Sequence, residues 1–482
     1  MLRRWIGGAA GVVLACAGVA VSVGSVPDGS ADVRQVNAEG SAVAARLRTT
    51  LDGLRLQDVL DTAPPTSAEG RALVKATVDK EARQTSAQRN RLLARAADAQ
   101  PISQQPQVDA TIIELDRRGR PVSSGTVLMS PSHRDGVVVP VDRNLATTAV
   151  RWRQWDDAGW YANKGQGSID VVPGREDAPL DHMLNYPAST LKLMVAFGVL
   201  RLVDQGAITL DSTYTYAPVE ISPLCGEATA KPVRQYLDES ITWSSNAASC
   251  ALIKLLHDHN AVDPLNRTFQ SLGLETLQLK GTRPSNGGRW SNEVTMSSLD
   301  TAKLLTLVNG APGTVWKAPD GSPVTRDVLS AASRKFFMSE LAQQGFNDML
   351  STTNWCGGSY PAPGLPNAAP ARWVGPDGTV TIPGEGAVYG RDVRPCNKRA
   401  EVTFAHKTGW VNNSAANAGI VRALPGRGGR HYIISVFSNL GTQYIDADRP
   451  ETPPGIYPFT YTEKFAQLGR AMDAYEKRAT RN

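Results

Sequence analysis

Apolar residues change their spacing along this chain, and each change predicts a different element. Arg3 and Arg4 precede an apolar run from Ile6 to Val23, broken by glycines and followed by Pro27-Asp28-Gly29. Residues 28–40 are small and polar, the pattern of a linker. Residues 41–61 and 67–98 read as helices, with Leu47, Leu51 and Leu54 at helical spacing in the first. Thr66 and Glu69, just after Pro64-Pro65, make a capping box for the second. Pro101, Pro106 and the stretch from Gln104 to Gln107 mark a boundary, so residues 27–107 read as a linker and helical appendage.

From residue 108 the pattern becomes that of strands, with short apolar runs at Ala110–Leu115 and Val137–Val141 and an alternating run at Thr147–Arg153. Ser189–Val203 is apolar almost all the way round, which requires a helix buried at the centre of a domain. Further helices are predicted at Val233–Ile241, Ala247–His257 and Ser298–Asn309. Residues 311–400 hold Trp, Pro and Gly in loop-like clusters, with one helix near Ser333–Gln344. Two strands, Ala416–Ala423 and His431–Ser438, flank the turn Pro425-Gly426-Arg427-Gly428-Gly429, and Phe465–Arg478 is an amphipathic helix. Strands at both ends with helices between imply one α+β domain over residues 108–482, its sheet completed by the C-terminus.

Composition narrows the classes. The 482 residues carry a net charge of +5, with 41% hydrophobic and 20% charged residues, as in an ordinary globular protein. No basic block with interleaved aromatics occurs, which argues against a nucleic-acid partner. The charged start and apolar run over residues 1–26 predict export through a signal peptide. Val13-Leu14-Ala15-Cys16 is similar to a lipoprotein cleavage box, with a plain cleaved signal and an uncleaved anchor as the alternatives. Apart from Cys16, four cysteines remain. Their even number in an exported chain suggests two disulfides, for which Cys225–Cys250 and Cys356–Cys396 is the local pairing, with buried free thiols as the alternative. No Cys or His spacing suggests a metal site, and no cofactor is expected.

Three short motifs carry candidate chemistry. In Ser189-Thr190-Leu191-Lys192, the serine starts the buried helix and Lys192 lies one turn on, on the same face. Burial there lowers the pKa of Lys192, so a neutral amine could act as base to a Ser189 nucleophile. The bland reading is a capping Ser and a snorkelling Lys. In Ser244-Ser245-Asn246, Ser244 would relay a proton to a leaving nitrogen and Asn246 would bind a substrate amide and fix Lys192, or the tripeptide simply starts a helix. In Lys407-Thr408-Gly409, Lys407 would supply positive potential, Thr408 a hydroxyl for a substrate carboxylate and Gly409 close backbone approach. The N–H groups of Trp410 and Ser189 would form an oxyanion hole. Read alone, that tripeptide is a strand end and a turn.

In order, and each beside the element it needs, the motifs resemble those of the penicillin-recognising serine enzymes, most closely class A β-lactamases. Tyr216-Ala217-Pro218-Val219, Val233–Ser249 and Phe404–Gly409 extend the likeness, which covers roughly residues 108–482. It implies a β-lactamase/transpeptidase-like fold, with an antiparallel sheet flanked by helices around a central buried helix. It also implies a β-lactam or peptidoglycan-type peptide as substrate. The spacing from Ser244 to Lys407 is far longer than the family's, which places an insertion within residues 311–400. A second departure is the loop Glu that in this family activates the hydrolytic water. Gly281 to Gly288 contains none, and Glu293, the nearby carboxylate, is expected to brace the loop through Arg283 or Arg289, with a catalytic role as the alternative. Trp152, Trp155, Trp160 and Tyr161 read as core and hairpin packing in preference to a sugar-stacking patch.

The function these residues point to is an exported, monomeric serine hydrolase, cleaving an amide through a Ser189 acyl-enzyme and meeting a membrane only through its N-terminus. Among its variants a β-lactamase fits the overall resemblance best, whereas the missing Glu leaves fast release of the acyl group without its usual base and better suits a D-alanyl-D-alanine peptidase or a slow penicillin binder. A non-turnover sensor of β-lactams belongs to another class. A structural envelope protein on a degenerate scaffold is disfavoured by three intact motifs.

Overall fold

The strand-forming runs assemble into a six-stranded antiparallel sheet in the computed structural model, which describes residues 30–61, 100–102, 104–356, 364–383, 387–389, 391–445 and 460–479. Three strands come from one end of the domain: β1 (Val108–Leu115), β2 (Pro121–Ser130) and β3 (His133–Val139). Three come from the other: β4 (Val402–Val411), β5 (Ser414–Ala423) and β6 (His431–Ser438). They lie in the order β4-β5-β6-β1-β2-β3, so β4 is an edge and β6 pairs with β1.

Period-two alternation sorts their side chains between two cores. Ile113, Ala405, Ala416, Ala418, Ile420, Ile433 and Phe437 face one layer of helices. Ile112, Phe404, Ala415, Val421, Tyr432 and Ile434 face the opposite one. A one-residue slip in any of these strands would exchange the two sets, so the register is strongly fixed.

The inner layer is built on α2 (Lys192–Asp204), in which Lys192 through Leu200 are all buried. Around it pack α3 (Val233–Thr242), α4 (Asn246–Asp258), α5 (Val262–Ser271) and α6 (Ser298–Asn309), through Leu237, Leu252, Phe269 and Leu304 among others. The helix α7 (Ala331–Ala342) closes this side through Phe337 and Leu341.

The outer layer contains α1 (Ser30–Gly53) and α8 (Thr460–Ala479). Two expectations change here. Residues 30–40 are helical rather than a linker, because Ala, Arg, Gln and Glu favour continuing the turn. Nor do residues 43–61 form an appendage apart from the domain: Val43, Leu47, Leu51, Leu54, Leu56 and Val59 share a core with β1, β2 and α8. Gly125 permits this, since a Cβ there would stand 2.6 Å from the backbone of Ala44. The signal segment, Cys16 and the helix expected over 67–98 lie outside the described residues. Among those described, no helix is long and apolar enough to cross a membrane.

The stretch read as an insertion has a core of its own. Phe346, Trp355, Trp373, Val380, Ile382, Tyr389 and Val393 cluster around the Cys356–Cys396 disulfide and pack against Trp243 and Trp410. The second disulfide, Cys225–Cys250, ties the loop before α3 to α4. Closing loops of 25 and 40 residues stabilises the fold by about 3–4 kcal/mol each in the chain-entropy view.

Of the four aromatic residues expected to pack, only Trp152 is buried, edge-on to His182. Trp155, Trp160 and Tyr161 are exposed, because the hairpin that carries them projects from the small three-stranded sheet of Val150–Trp155, Ser168–Asp170 and Leu180–Met183.

His182 gives a testable acid limb. Burial alone holds its pKa down at about 4, against 6.5 for a free imidazole, and among the described residues neither ring nitrogen has a hydrogen-bond partner. The folded state therefore keeps this ring neutral, so its contribution is complete above pH 6.5 and is lost as the pH falls towards 4. His182→Met should gain melting temperature relative to the wild type as the pH is lowered from 7 to 4. A difference that does not change with pH would contradict this.

Candidate active site

Each motif residue is delivered by a different element. Ala188–Leu191 forms a single 3₁₀ turn that runs directly into α2, so Ser189 sits in the first turn of the buried helix and Lys192 follows on the same side. Ala188 takes a left-handed φ of 46°, an arrangement that costs about 1–3 kcal/mol and is kept where the surroundings demand it. Ser189 is 7% exposed and Lys192 is fully buried.

The second motif divides its work. Ser245 is the helix cap, accepting from Ala248 N–H at 3.1 Å, so the capping reading holds for that residue. Ser244, just before it, also takes a left-handed φ, of 65°, and turns both its carbonyl and its hydroxyl towards Lys192. Asn246 opens α4 with its side-chain oxygen on the same amine.

The resulting cluster is tight. Lys192 Nζ lies 2.9 Å from Ser189 Oγ, 3.0 Å from Ser244 Oγ, 2.5 Å from the Ser244 carbonyl and 2.7 Å from Asn246 Oδ1. Lys407 reaches the same Ser244 hydroxyl from β4 at 3.0 Å and donates to the Thr408 carbonyl at 2.5 Å. Ser189, Lys192, Ser244, Asn246 and Lys407 thus meet through one hydrogen-bond network.

The other third-motif residues sit differently. A Cβ on Gly409 would stand 2.4 Å from Ser189 N, so this glycine lets the strand lie against the serine turn itself. Thr408 faces the outer layer with Phe404, fully buried, its hydroxyl 3.5 Å from the Ala416 carbonyl. In this geometry it is turned to its own sheet.

Several neighbours were not legible in the sequence. The insertion runs behind β4 with two consecutive contacts. Asn347 Oδ1 lies 3.2 Å from His406 Nε2, and Asp348 stands close enough to Lys407 to feel its charge. Burial pushes the Asp348 carboxyl up to about 7, against the opposing pull of the Tyr389 hydroxyl and of Lys407. Burial likewise drives His406 down to about 3, assisted by Lys407. Trp410 packs edge-on to Phe346 and stacks over Tyr461. On the Lys192 side, the Trp290 indole stands over the amine, 5.9 Å from ring centre to Nζ.

Glu293 does not brace the loop as expected. Among the described residues it pairs with neither Arg283 nor Arg289, nor is it bonded to Ser189 or Lys192. Its carboxylate accepts from Ser291 Oγ at 3.3 Å beside Asp157. Among the described residues no group of three His, Cys, Asp or Glu side chains converges as a metal site.

A family comparison bears on this arrangement. Residues 181–365, which include the first two motifs and end before Lys407, match the model described as the beta-lactamase enzyme family. The similarity to that family is thus carried by the segment that holds Ser189, Lys192, Ser244 and Asn246. The match supports a serine hydrolase of β-lactamase type, and the α+β layers described above are those of a β-lactamase-like fold. No curated protein matches the sequence.

Among solved structures, PBP-A is similar at 18% identity over 80% of this chain and 97% of that one, with a TM-score of 0.39. A β-lactamase from Chitinophaga pinensis is similar at 15% identity over 82% and 99%, with a TM-score of 0.38. One from Streptosporangium roseum is similar at 13% identity over 81% and 99%, with a TM-score of 0.39.

The contact at Gly409 is open to test. Gly409→Ala should force the strand off the Ser189 turn and destabilise the protein by about 1–3 kcal/mol, read as a lower denaturant midpoint. An unchanged midpoint would mean that the approach is looser than described.

Proposed function

We propose that this protein is an exported serine hydrolase that forms a covalent acyl-enzyme on Ser189 from a β-lactam or a D-alanyl-D-alanine-type peptide, and that it releases the acyl group slowly. The observation that carries the reading is the single network joining Ser189, Lys192, Ser244 and Lys407.

In this reading Ser189 Oγ attacks the amide carbonyl carbon while Lys192, 2.9 Å away, takes its proton as a neutral amine. Two ammonium groups sharing one oxygen would stand within about 6 Å of each other, and their repulsion favours keeping one of the amines neutral. Collapse of the tetrahedral intermediate breaks the carbon–nitrogen bond. The Ser244 hydroxyl protonates the leaving nitrogen and is reprotonated from Lys192, so the net transfer is the Ser189 proton to nitrogen. The amides of Ser189 and Trp410 would hold the oxyanion, and Lys407 would supply potential for a substrate carboxylate. Asn246 keeps Lys192 in place and borders the substrate amide.

Slow release is supported by the loop chemistry. The segment from Gly281 to Glu293 has one carboxylate, and it is engaged at Ser291. This favours a D-alanyl-D-alanine peptidase or slow penicillin binder over a rapid β-lactamase as the second reading. The two disulfides are compatible with export.

Intact-mass spectra during incubation with a chromogenic cephalosporin test the proposal. The wild type should gain an adduct that persists for hours, Ser189→Ala should gain none, and Lys407→Ala should acylate about 10²–10³-fold more slowly. An adduct of equal size on Ser189→Ala would remove Ser189 from the chemistry. Rapid product release by the wild type would favour a β-lactamase.

A further inference from the structure

Hydrolysis of an ester on Ser189 requires a water that can lose a proton to a base while it attacks the acyl carbon. The proton acceptor closest to Ser189 Oγ is the Lys192 amine, at 2.9 Å. Oxygens of Ser189, Ser244 and Asn246 lie within 3.0 Å of this amine. The face of Trp290 also lies towards the amine, its ring centre 5.9 Å from the nitrogen.

The indole is fixed there. Trp290 is 8% exposed, and its ring N–H donates to the Tyr186 hydroxyl at 2.8 Å. The Tyr186 carbonyl in turn accepts from Ser414, the first residue of β5. The loop carrying Trp290 is braced as well, with the Gly287 carbonyl accepting from Tyr216 at 2.9 Å and Thr282 bonded to His257 at 2.9 Å.

An indole has no hydrogen-bond acceptor, and its single donor is already used at Tyr186. Its face favours an adjacent cation and offers nothing that could orient or deprotonate a water. The one carboxylate of the loop lies three residues further on, turned to Ser291. The loop therefore presents an apolar plate to the Lys192 amine.

We infer that Trp290 is a positioning residue that keeps the hydrolytic water away from the Lys192 side of Ser189, so that an acyl group formed there is retained. This rests on the acyl-enzyme reading above. Without the plate, water enters, loses a proton to Lys192 and adds to the acyl carbon. The ester bond to Ser189 Oγ then breaks, the serine regains a proton from Lys192, and the product leaves as a carboxylic acid.

The test measures formation and decay of the benzylpenicillin adduct separately, by intact mass, on the full chain. Trp290→Ala should shorten the adduct lifetime at least about 10-fold while changing its rate of formation less than about 3-fold. Trp290→Phe should behave as the wild type. Tyr186→Phe keeps the core volume but frees the indole, and should give an intermediate lifetime even if Trp290→Ala folds poorly. Lifetimes within about 2-fold of the wild type for both Trp290→Ala and Tyr186→Phe would overturn the inference. So would a parallel fall in formation and decay, since that marks a merely structural role. A wild type that forms no adduct overturns the acyl-enzyme reading itself, an outcome distinct from unchanged lifetimes.

Discussion

The Ser244 hydroxyl stands 3.0 Å from the amines of both Lys192 and Lys407, and both lysines are fully buried. Taking two such groups out of water costs several kcal/mol each unless oxygens replace the lost solvent. The backbone around the site provides them through the carbonyls of Ser244 and Thr408 and the side chain of Asn246. Ser244 reaches this point with a left-handed φ, a strain that the helix behind it helps to hold. The two lysines belong to different layers, one to the central helix and one to the edge strand, so their shared partner fixes where the helix layer meets the sheet.

The rest of the chain supports that junction. Small residues along β5, Ala416 and Ala418, keep the sheet close to the helices, and Gly409 brings β4 against the serine turn. From the 311–400 stretch, Phe346 packs on Trp410, which itself stacks over Tyr461, and Asn347 and Asp348 lie along His406 and Lys407. A stretch that reads as loops is thus a small disulfide-linked core packed behind the third motif.

Legibility in the sequence follows the range of the interactions. The motif residues are legible because their chemistry and spacing are local, and the central helix because its apolar run has no polar face. The helices at Val233, Asn246, Ser298 and Thr460 carry ordinary caps or periodicity. The strand Pro121–Ser130 is harder to see, since Ser123, Ser124 and Gly125 interrupt its alternation where α1 lies against it. The helix Val262–Ser271 hides behind Pro264, which a first helical turn tolerates. Trp290 and Asp348 are invisible as site residues for a different reason. Each acts through a contact with a residue distant in the chain, and no local pattern records it. The exposed Trp155, Trp160 and Tyr161 show the converse, because aromatic clustering alone does not say which side of a hairpin is covered.

If the shared hydroxyl organises the chemistry, Ser244 and Lys407 act as one unit. The direct measurement is a double-mutant cycle on the acylation rate, with Ser244→Ala, Lys407→Ala and the double variant. The account predicts strong coupling, with the double variant no slower than the worse single variant to within about 3-fold. Rate losses that simply multiply would show that the two residues work independently and would contradict it.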